Sequence, residues 1–193
     1  MKYSKYKDSG NEWNGVIPTQ WEVTRIKYLP KQGKNSFIDG DWIESAVITE
    51  TGIRYITTGN IGEGFYKEQG TSFISVQTFE ELNCSEIFPG DLVMSRLFLP
   101  IGRCCIIPNL GFRVITSVDN VILRPKEGVL KQFLVYQFNS QRFFEYTELI
   151  SRGTTLIRIS RTMLGNTPCF VPPLSEQEQI VKYLDEKTSQ VDN

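Results

Sequence analysis

The sequence contains no histidine among its 193 residues, and this absence excludes many kinds of catalytic site. Without an imidazole there is no Ser-His-Asp or Cys-His nucleophile system, no HExxH metalloprotease and no histidine general base. The four cysteines form no CxxC pair, so neither a disulfide framework nor a metal site is expected from them. Among enzymatic mechanisms, only carboxylate or lysine chemistry remains open.

The motifs that bind nucleotides and cofactors are also missing. No GxxxxGK[ST] phosphate loop is present, and residues 59–64 (GNIGEG) do not follow the GxGxxG order of dinucleotide-binding folds. Residues 171–174 (VPPL) lack the amide and the aromatic ring of the Asn/Asp-Pro-Pro-aromatic segment that amino-methyltransferases use on a flipped base. We therefore expect no catalytic residue, no metal site and no bound cofactor in this chain.

Long apolar runs are absent. No run approaches the length that crosses a bilayer, and the first fifteen residues lack the pattern of a secretory signal. Hydrophobic residues make up 40% and charged residues 22% of the chain, which is ordinary for a globular protein. We expect a cytoplasmic protein without a membrane partner, with one domain and an appendage.

Positive and negative charges nearly cancel in total, but positive charge is concentrated locally. The net charge of −1 argues at first against binding to nucleic acid. However, residues 1–38 sum to +4 and residues 90–165 to +5, whereas residues 39–89 sum to −7. A protein that binds phosphate needs a local positive surface, which two basic blocks can supply together. Charge alone fits solvated surfaces without a ligand equally well.

Short segments bounded by glycine, proline or asparagine predict β-strands. These segments are residues 21–29, 53–57, 71–76, 92–96, 103–107, 112–116, 120–123, 156–159 and 169–171. From residue 129 to 150 the apolar period becomes helical, with a break near residues 139–140, and one helical turn is predicted near residues 162–164. The predicted fold is α/β (α+β), a curved mixed or antiparallel β-sheet with packed helices.

A further helix is predicted at the end of the sequence, with Ser175 as its N-cap and Glu178 as the capping-box partner. Three apolar residues share one face of it: Ile180, Leu184 and Val191. We expect this face to contact a partner in a coiled-coil spacer, although a helix folded back on its own domain fits the period equally well. The predicted division is a domain over residues 1–172 and a spacer over residues 173–193.

Five phrases along the chain resemble the specificity subunit of type I restriction-modification systems. They are residues 15–21 (GVIPTQW), 58–61 (TGNI), 89–103 (PGDLVMSR, then IGR), 151–155 (SRGTT) and 172–185 (PPLSEQEQI, closing with LD). Each phrase is weak alone, but the five occur in order and cover nearly the whole chain. The family's subunit normally holds two recognition domains and two long helices. The resemblance therefore implies a fragment, or a half-sized subunit that pairs with a second copy.

The resemblance also implies a division of labour. A domain of this family reads one half of a bipartite target in double-stranded DNA, and its helix sets the spacing to the second half. Methylation subunits bring S-adenosylmethionine, and restriction subunits use ATP and Mg²⁺. This chain would then be a non-catalytic specificity subunit, which agrees with its missing catalytic motifs.

Four polar clusters are the candidate DNA contacts. In chain order their members are Lys31, Lys34, Asn35, Thr57, Thr58, Asn60, Arg96, Arg103, Arg152, Thr154, Thr155 and Arg158. Lysine and backbone amides bind phosphates, whereas arginine and asparagine can read guanine and adenine edges. Three of the clusters also have a structural interpretation: a solvated loop for the first, turn building for the second, and salt bridges to the acidic block for Arg96 and Arg103. For the fourth cluster a DNA contact is favoured.

Two other functions remain open at this stage. The chain fits the recognition part of a fused restriction enzyme, or a nuclease with carboxylates and a metal, but its spacing forms no convincing Asp/Glu-Lys site. It also fits an adaptor that binds proteins through its last helix. Binding that is insensitive to substitution of the basic clusters would favour the adaptor.

Overall fold

The chain forms two four-stranded sheets with helices packed on their faces. The computed structural model describes residues 3–10, 15–153 and 156–191. In these ranges the strands are β1 (Tyr6–Asp8), β2 (Val16–Pro18), β3 (Glu22–Arg25), β4 (Phe37–Asp39), β5 (Ile48–Thr49), β6 (Ile53–Ile56), β7 (Phe73–Ile74), β8 (Leu92–Ser95), β9 (Cys104–Ile106), β10 (Val114–Thr116), β11 (Asn120–Leu123) and β12 (Pro168–Val171). The helices are α1 (Val76–Glu81), α2 (Lys131–Phe138), α3 (Gln141–Ile150), α4 (Arg161–Asn166) and α5 (Leu174–Val191). This architecture confirms the predicted α/β fold.

The central sheet is antiparallel, with the strand order β4-β11-β8-β9. Every residue of β8 and β11 is buried. Leu92 and Met94 pack into a cluster with residues of α2 and α3, whereas Val93 packs into a second cluster with Ile56 and Val114. Because side chains alternate between the two faces of a strand, β8 contributes to both clusters and is therefore apolar along its whole length.

The second sheet has the order β10-β6-β7-β5 and packs against the first. Strands β10 and β6 are parallel, while β7 pairs antiparallel with both β6 and β5. Phe79 of α1 packs beside Ile74 and Ile115 in a third apolar cluster. This sheet is therefore mixed, and the molecule combines mixed and antiparallel pairing.

Helices α2 and α3 pack on the central sheet and are separated by the predicted break. The Asn139 side chain accepts the N–H of Cys104 and donates to its carbonyl, which ties the break to β9. Ser140 caps α3 by accepting the N–H of Phe143. Gly102 lies against α3 with φ of +85°, and a Cβ there would lie 2.6 Å from the Phe143 ring, so glycine is required.

Two predicted strands are shorter than expected. Residues 71–76 contain only the two-residue β7, because the Ser75 side chain accepts the N–H of Thr78 and begins α1. This helix was not predicted from the sequence. Residues 21–29 form β3 and then a 3-10 turn at Ile26–Tyr28.

A third predicted strand, at residues 156–159, is wrong. The described part of this segment is a loop, and Arg158 makes isolated bridges to Leu97 and to Arg152. Neither Leu97 nor Arg152 belongs to a strand, so the β-pairing of this segment is limited to the single residue Arg158. The neighbouring one-turn helix was predicted correctly and is the longer α4.

Helix α5 begins at Leu174, which corrects the predicted capping box. Ser175 lies inside the first turn and Glu178 is exposed, so neither side chain caps the helix. Instead, the Pro173 carbonyl accepts the N–H groups of the two residues between them, Glu176 and Gln177. Both of these side chains are buried.

The beginning of α5 packs on the domain and the remainder extends past it. Ile180 packs against the main apolar cluster, and Leu184 is half-buried. Residues 185–190 are exposed, and the side chain of Val191 lies outside the described part of the chain. The division at residue 172 stays a prediction. No helix in the described ranges is both long and apolar enough to cross a membrane.

Candidate nucleic-acid interface

Two loops that are distant in sequence lie side by side at one end of the central sheet. The Phe98 N–H donates to the Ile157 carbonyl at 3.0 Å, and the Ile159 N–H donates to the Arg96 carbonyl at 3.0 Å. Leu97 and Arg158 form the antiparallel bridge between these bonds. The loop after β8 and the loop before α4 therefore form one surface.

Arg103 fixes the shape of this surface from beneath. Its Nε donates to the Ile61 carbonyl at 2.8 Å and its Nη2 to the Thr58 carbonyl at 2.9 Å. Its Nη1 donates to the carbonyls of Leu97, Phe98 and Pro100 at 2.9–3.2 Å. The side chain is buried, and burial lowers the pKa of the Arg103 guanidinium. These bonds give Arg103 a structural role within the chain, and the DNA contact at Arg103 stays a prediction.

Arg96 is also a buried scaffold residue. Its Nη1 donates to the Ile159 carbonyl at 3.0 Å, its Nη2 donates to the Val118 carbonyl, and Nη2 lies 3.0 Å from Oδ1 of Asp39. Burial lowers the pKa of the guanidinium, and Asp39 opposes this shift. The salt bridge to the acidic block, the structural interpretation given above, is the arrangement found. The DNA contact at Arg96 stays a prediction.

Three arginines remain exposed on the same surface. Arg158 pairs with Asp119 at 2.8 Å, and Arg161 pairs with Asp39 at 3.4 Å, while Arg152 bridges Arg158 through its backbone. The side chains of Arg158 and Arg161 are 45% and 43% exposed, and Arg161 also donates to the Phe37 carbonyl at 3.2 Å. Arg161 was missed in the sequence, although it lies three residues after Arg158 at the start of a predicted helical turn.

Exposed apolar side chains lie among these arginines. Phe98 is 46%, Leu99 48% and Leu156 59% exposed. Phe98 has φ of +60°, a left-handed conformation that non-glycine residues rarely adopt. Its N–H bond to Ile157 and its carbonyl bond to Arg103 hold it there. We call the surface formed by Phe98, Leu99, Arg152, Leu156, Arg158 and Arg161 the arginine face.

The turn at residues 57–60 lies beside the arginine face, but most of it is structural. The Asn60 side chain accepts the Thr57 N–H and donates to the carbonyls of Lys67 and Gln69. Thr58 is buried and its carbonyl accepts Arg103. Thr58 and Asn60 therefore build the turn, and their DNA contacts stay predictions. Only Thr57 is exposed.

The loop of Lys31, Lys34 and Asn35 lies at the opposite end of the central sheet. It precedes β4, whose Phe37 pairs with Leu123, whereas Arg96 and Asp119 flank the other end of the paired strands. The two ends are about 13 Å apart, four residues at the rise of a β-strand. The structure thus brings three of the four predicted clusters together and places the Lys31, Lys34 and Asn35 cluster away from them.

An open cleft of about 590 Å³ lies against this loop. Lys31 and Lys34 are exposed on it, and Lys131 and Arg124, two cations that the sequence analysis missed, line its other side. Arg124 is paired with Asp91 at 2.6 Å and Lys131 donates to the Gly90 carbonyl, so the two loop lysines carry its available charge. We call this site the lysine cleft.

Two predicted contacts, Thr154 and Thr155, lie outside the described residues. The preceding Gly153 has φ of +104°, and a Cβ there would lie 2.5 Å from the Leu156 carbonyl, so the turn beside them requires glycine.

The described part of the chain contains no cluster of three or more cysteine or acidic side chains that could hold a metal ion. The four thiols are free and buried. Burial raises the pKa of the Cys84 thiol to about 11 and that of Cys105 to about 12. A thiol with such a pKa is protonated at neutral pH and is a poor nucleophile or metal ligand.

Comparison with known proteins gives one consistent result. Residues 18–193 match the family model of the type I restriction modification DNA specificity domain. The chain is 29% identical over 181 residues to the type I restriction enzyme MjaIX specificity subunit of Methanocaldococcus jannaschii, covering 88% of this chain and 38% of that protein. It therefore spans about two fifths of that relative's length.

Solved structures share the fold. A structure described as showing complex assembly and conformational transition of the type I R-M system superposes with a TM-score of 0.68 at 21% identity, over 97% of this chain and 42% of the other. The HsdS subunit from Thermoanaerobacter tengcongensis gives a TM-score of 0.65 at 20% identity, over 97% and 41%.

Proposed function

The chain belongs to the family of type I restriction modification DNA specificity domains, and from this premise we propose that it reads one half of a bipartite target in double-stranded DNA through its arginine face. In this proposal α5 is the start of a spacer to a second recognition domain. That domain belongs to the same subunit or to a second copy of the chain.

The convergence of three exposed arginines with Phe98 carries this proposal. Arg152, Arg158 and Arg161 come from one segment and Phe98 from another, yet backbone hydrogen bonds hold them on one surface. Exposed guanidiniums bind phosphates and the O6 and N7 atoms of guanine. An exposed aromatic ring held in a strained backbone conformation is typical of a residue positioned for contact with a ligand.

The scaffold beneath the face explains how it stays in shape. Arg96 donates to the Ile159 carbonyl, and Arg103 donates to the carbonyls of Thr58 and Ile61, so bonds within the chain support the conformation of the loops. A surface that is ordered before binding loses less conformational entropy on binding. Exposed side chains can then differ between recognition domains while the buried arginines hold the loops.

We further propose that this chain is non-catalytic and acts with methylation and restriction subunits in the cytoplasm, the compartment that holds the DNA. S-adenosylmethionine, ATP and Mg²⁺ would bind to those partners. The lack of histidine and the buried, protonated thiols support this division of labour.

A methylation map tests the recognition of a half-site. The chain is assembled with a second recognition domain of known half-site and with methylation subunits, and the host DNA is sequenced for modified adenines. We expect a split motif in which the known half is unchanged and the other half is new. A folded and assembled complex that leaves the DNA unmodified would exclude this function and favour the adaptor.

A matched pair of variants tests the arginine face. Arg158 and Arg113 are 45% and 47% exposed, and each pairs with a carboxylate that is 23% exposed, but Arg113 lies at the far end of β10. We expect Arg158→Ala to weaken binding to the cognate half-site about 5- to 100-fold, the range of one arginine contact to a base. Arg113→Ala should leave binding unchanged when both are measured by fluorescence anisotropy. Equal effects of the two substitutions would contradict the assignment of the face.

A further inference from the structure

The first turn of α5 is attached to the domain through a buried carboxylate. Glu176 accepts the indole N–H of Trp21 at 2.7 Å, the hydroxyl of Tyr3 and the amide of Gln20 at 3.5 Å. Burial and the adjacent carboxylate raise the pKa of Tyr3 to about 12, which keeps this hydroxyl a donor. The N-terminal residues are thereby tied to the base of the helix.

The next residue, Gln177, attaches the same turn to a second element. Its amide nitrogen donates to the carbonyls of Gly128 at 2.9 Å and Pro172 at 2.8 Å, and its amide oxygen accepts the N–H of Leu130 at 2.8 Å. Leu130 is the N-cap of α2. Gln177 is completely buried and uses both its donors and its acceptor. These bonds fix the base of α5 relative to α2.

A separate polar contact holds α5 farther along its length. The Tyr136 hydroxyl of α2 donates to Oδ1 of Asp185. Asp185 lies eight residues after Gln177, about 12 Å along the helix axis. Between these points Ile180 packs on the apolar cluster, whereas residues 186–190 are exposed.

Two attachment points along one rod fix a direction, whereas a single point permits a tilt. We propose that the Tyr136–Asp185 bond is a positioning contact that sets the angle at which α5 leaves the domain, and thereby selects the number of base pairs between the two half-sites. This inference rests on the proposed function, in which α5 leads to the second recognition domain.

A small change in the tilt of α5 is enough to change the spacing between the half-sites by one base pair. An 18-residue helix is about 27 Å long, so a tilt of about 7° at its base moves its far end by about 3.4 Å. That displacement equals about one base-pair step along the DNA axis. Apolar packing at Ile180 is non-directional and leaves such a tilt open, whereas a hydrogen bond at Asp185 opposes it.

A distance measurement between the domain and α5 in the full chain tests whether the Tyr136–Asp185 bond fixes the angle of the helix. Spin labels are placed at Glu50→Cys on the body and Glu186→Cys on α5, and the four native thiols are buried and protonated, so they resist labelling. We expect Tyr136→Phe to broaden or shift the distance distribution. Tyr183→Phe, which removes a hydroxyl from an exposed ring on α5, should leave it unchanged. An unchanged distribution in both Tyr136→Phe and Asp185→Asn would overturn the inference.

A spacer series tests the consequence for recognition. The chain is assembled with a second recognition domain and methylation subunits, and methylation is measured on targets whose spacers differ by one base pair. In Tyr136→Phe the preference for the cognate spacer should fall about three- to tenfold, the factor that corresponds to one net hydrogen bond. Affinity for the isolated half-site should not change.

The outcomes separate the two proposals. If the complex without any substitution methylates no target, the proposed function fails. The distance measurement then still decides whether Tyr136 positions the helix. If it methylates one spacer and Tyr136→Phe keeps the same preference, the function stands and the positioning role is excluded.

Discussion

Arg103 joins two loops that are more than thirty residues apart in sequence. It donates to the carbonyls of Thr58 and Ile61 on one side and to those of Leu97, Phe98 and Pro100 on the other. Only the planar guanidinium, with its five donors, can serve so many acceptors at once. The loop that displays Phe98 therefore depends on one side chain that is itself hidden from solvent.

Removing this guanidinium should destabilise the protein. We expect Arg103→Met to lower the free energy of unfolding by about 2–4 kcal/mol, because several buried carbonyls lose their donor. Arg103→Lys should recover little of the loss, since an ammonium cannot span the same acceptors. Arg113→Met, at an exposed arginine, should destabilise the protein far less than Arg103→Met, because solvent screens its ion pair. Urea denaturation measures all three. A full rescue by lysine would contradict this account.

The sequence predicts the positions of the arginines but not their roles. Arg96, Arg103 and Arg158 have similar local contexts, each beside short apolar segments and turns. Burial separates them, and burial depends on which distant carbonyls surround each guanidinium. The choice between scaffold and exposed contact is therefore made by tertiary packing, which neither spacing nor charge reveals.

At the scale of elements, α5 has its strongest attachment at its first turn. Glu176 and Gln177 reach the N-terminal residues and the start of α2 through buried polar bonds. The capping-box prediction correctly expected polar groups near this helix end but assigned them to the neighbouring residues. The predicted helix starts at residue 176, after the Ser175 N-cap, whereas α5 begins two residues earlier at Leu174. Successive residues point about 100° apart around the axis, so Glu176 and Gln177 face the domain while Ser175 and Glu178 are exposed.

The same Gln→Leu substitution at two positions of α5 tests whether the buried hydrogen bonds of Gln177 contribute to stability. We expect Gln177→Leu to lower the free energy of unfolding by about 2–4 kcal/mol, because the Leu130 N–H and two carbonyls lose their partner in a buried site. Gln179→Leu, at an exposed position, should change it by less than about 0.5 kcal/mol. Thermal and urea unfolding provide the comparison. A similar small effect for both would show that the Gln177 bonds add nothing to stability.

The elements with a clear period or break were predictable. β6, β8, β9 and β11, and the helix pair α2 and α3, follow from apolar runs, helical spacing and the break at Asn139. Helix α1 and the loop at residues 156–159 were not, since one depends on a serine cap in a short segment and the other on bridges to distant loops. Short elements carry little periodic signal, so contacts outside them decide their form.

At the scale of the whole molecule, positive charge lies at both ends of the central sheet. The arginine face is at the Asn120 end and the lysine cleft is at the Leu123 end. In the lysine cleft, Arg124 and Lys131 are engaged within the chain, so Lys31 and Lys34 are the cations available to phosphates. Flexible ammonium groups bind phosphates as point charges and read no sequence.

The lysine cleft should therefore affect affinity but not base choice. We expect Lys31→Ala combined with Lys34→Ala to reduce the slope of log K against log salt by up to about 2, close to 0.9 per lost phosphate contact. The methylated motif should stay the same. Lys5→Ala combined with Lys7→Ala removes equal charge elsewhere and should not change the slope. A change of motif in the first variant would mean that these lysines act in specificity.

The sequence predicted the family and the fold class, because five ordered phrases span the chain. The separation of the two basic surfaces was not predictable, since residues 31–35 and 152–158 reach opposite ends of β4 and β11 only through strand pairing. The net charges of residues 1–38 and 90–165 indicated two basic segments, but they did not indicate that the lysine cleft and the arginine face lie at opposite ends of the sheet.

The carboxylates beside the exposed arginines have a consequence for the ions around the protein. Asp119 and Asp39 already neutralise part of the charge of Arg158 and Arg161, so the arginine face carries built-in counterions. When DNA phosphates replace these carboxylates at a guanidinium, the exchange occurs between groups fixed to the two macromolecules. Fewer dissolved anions leave the protein than its arginines would suggest. The salt dependence of binding on this face would then come mainly from the cations that the DNA releases, with little added by anions that leave the protein.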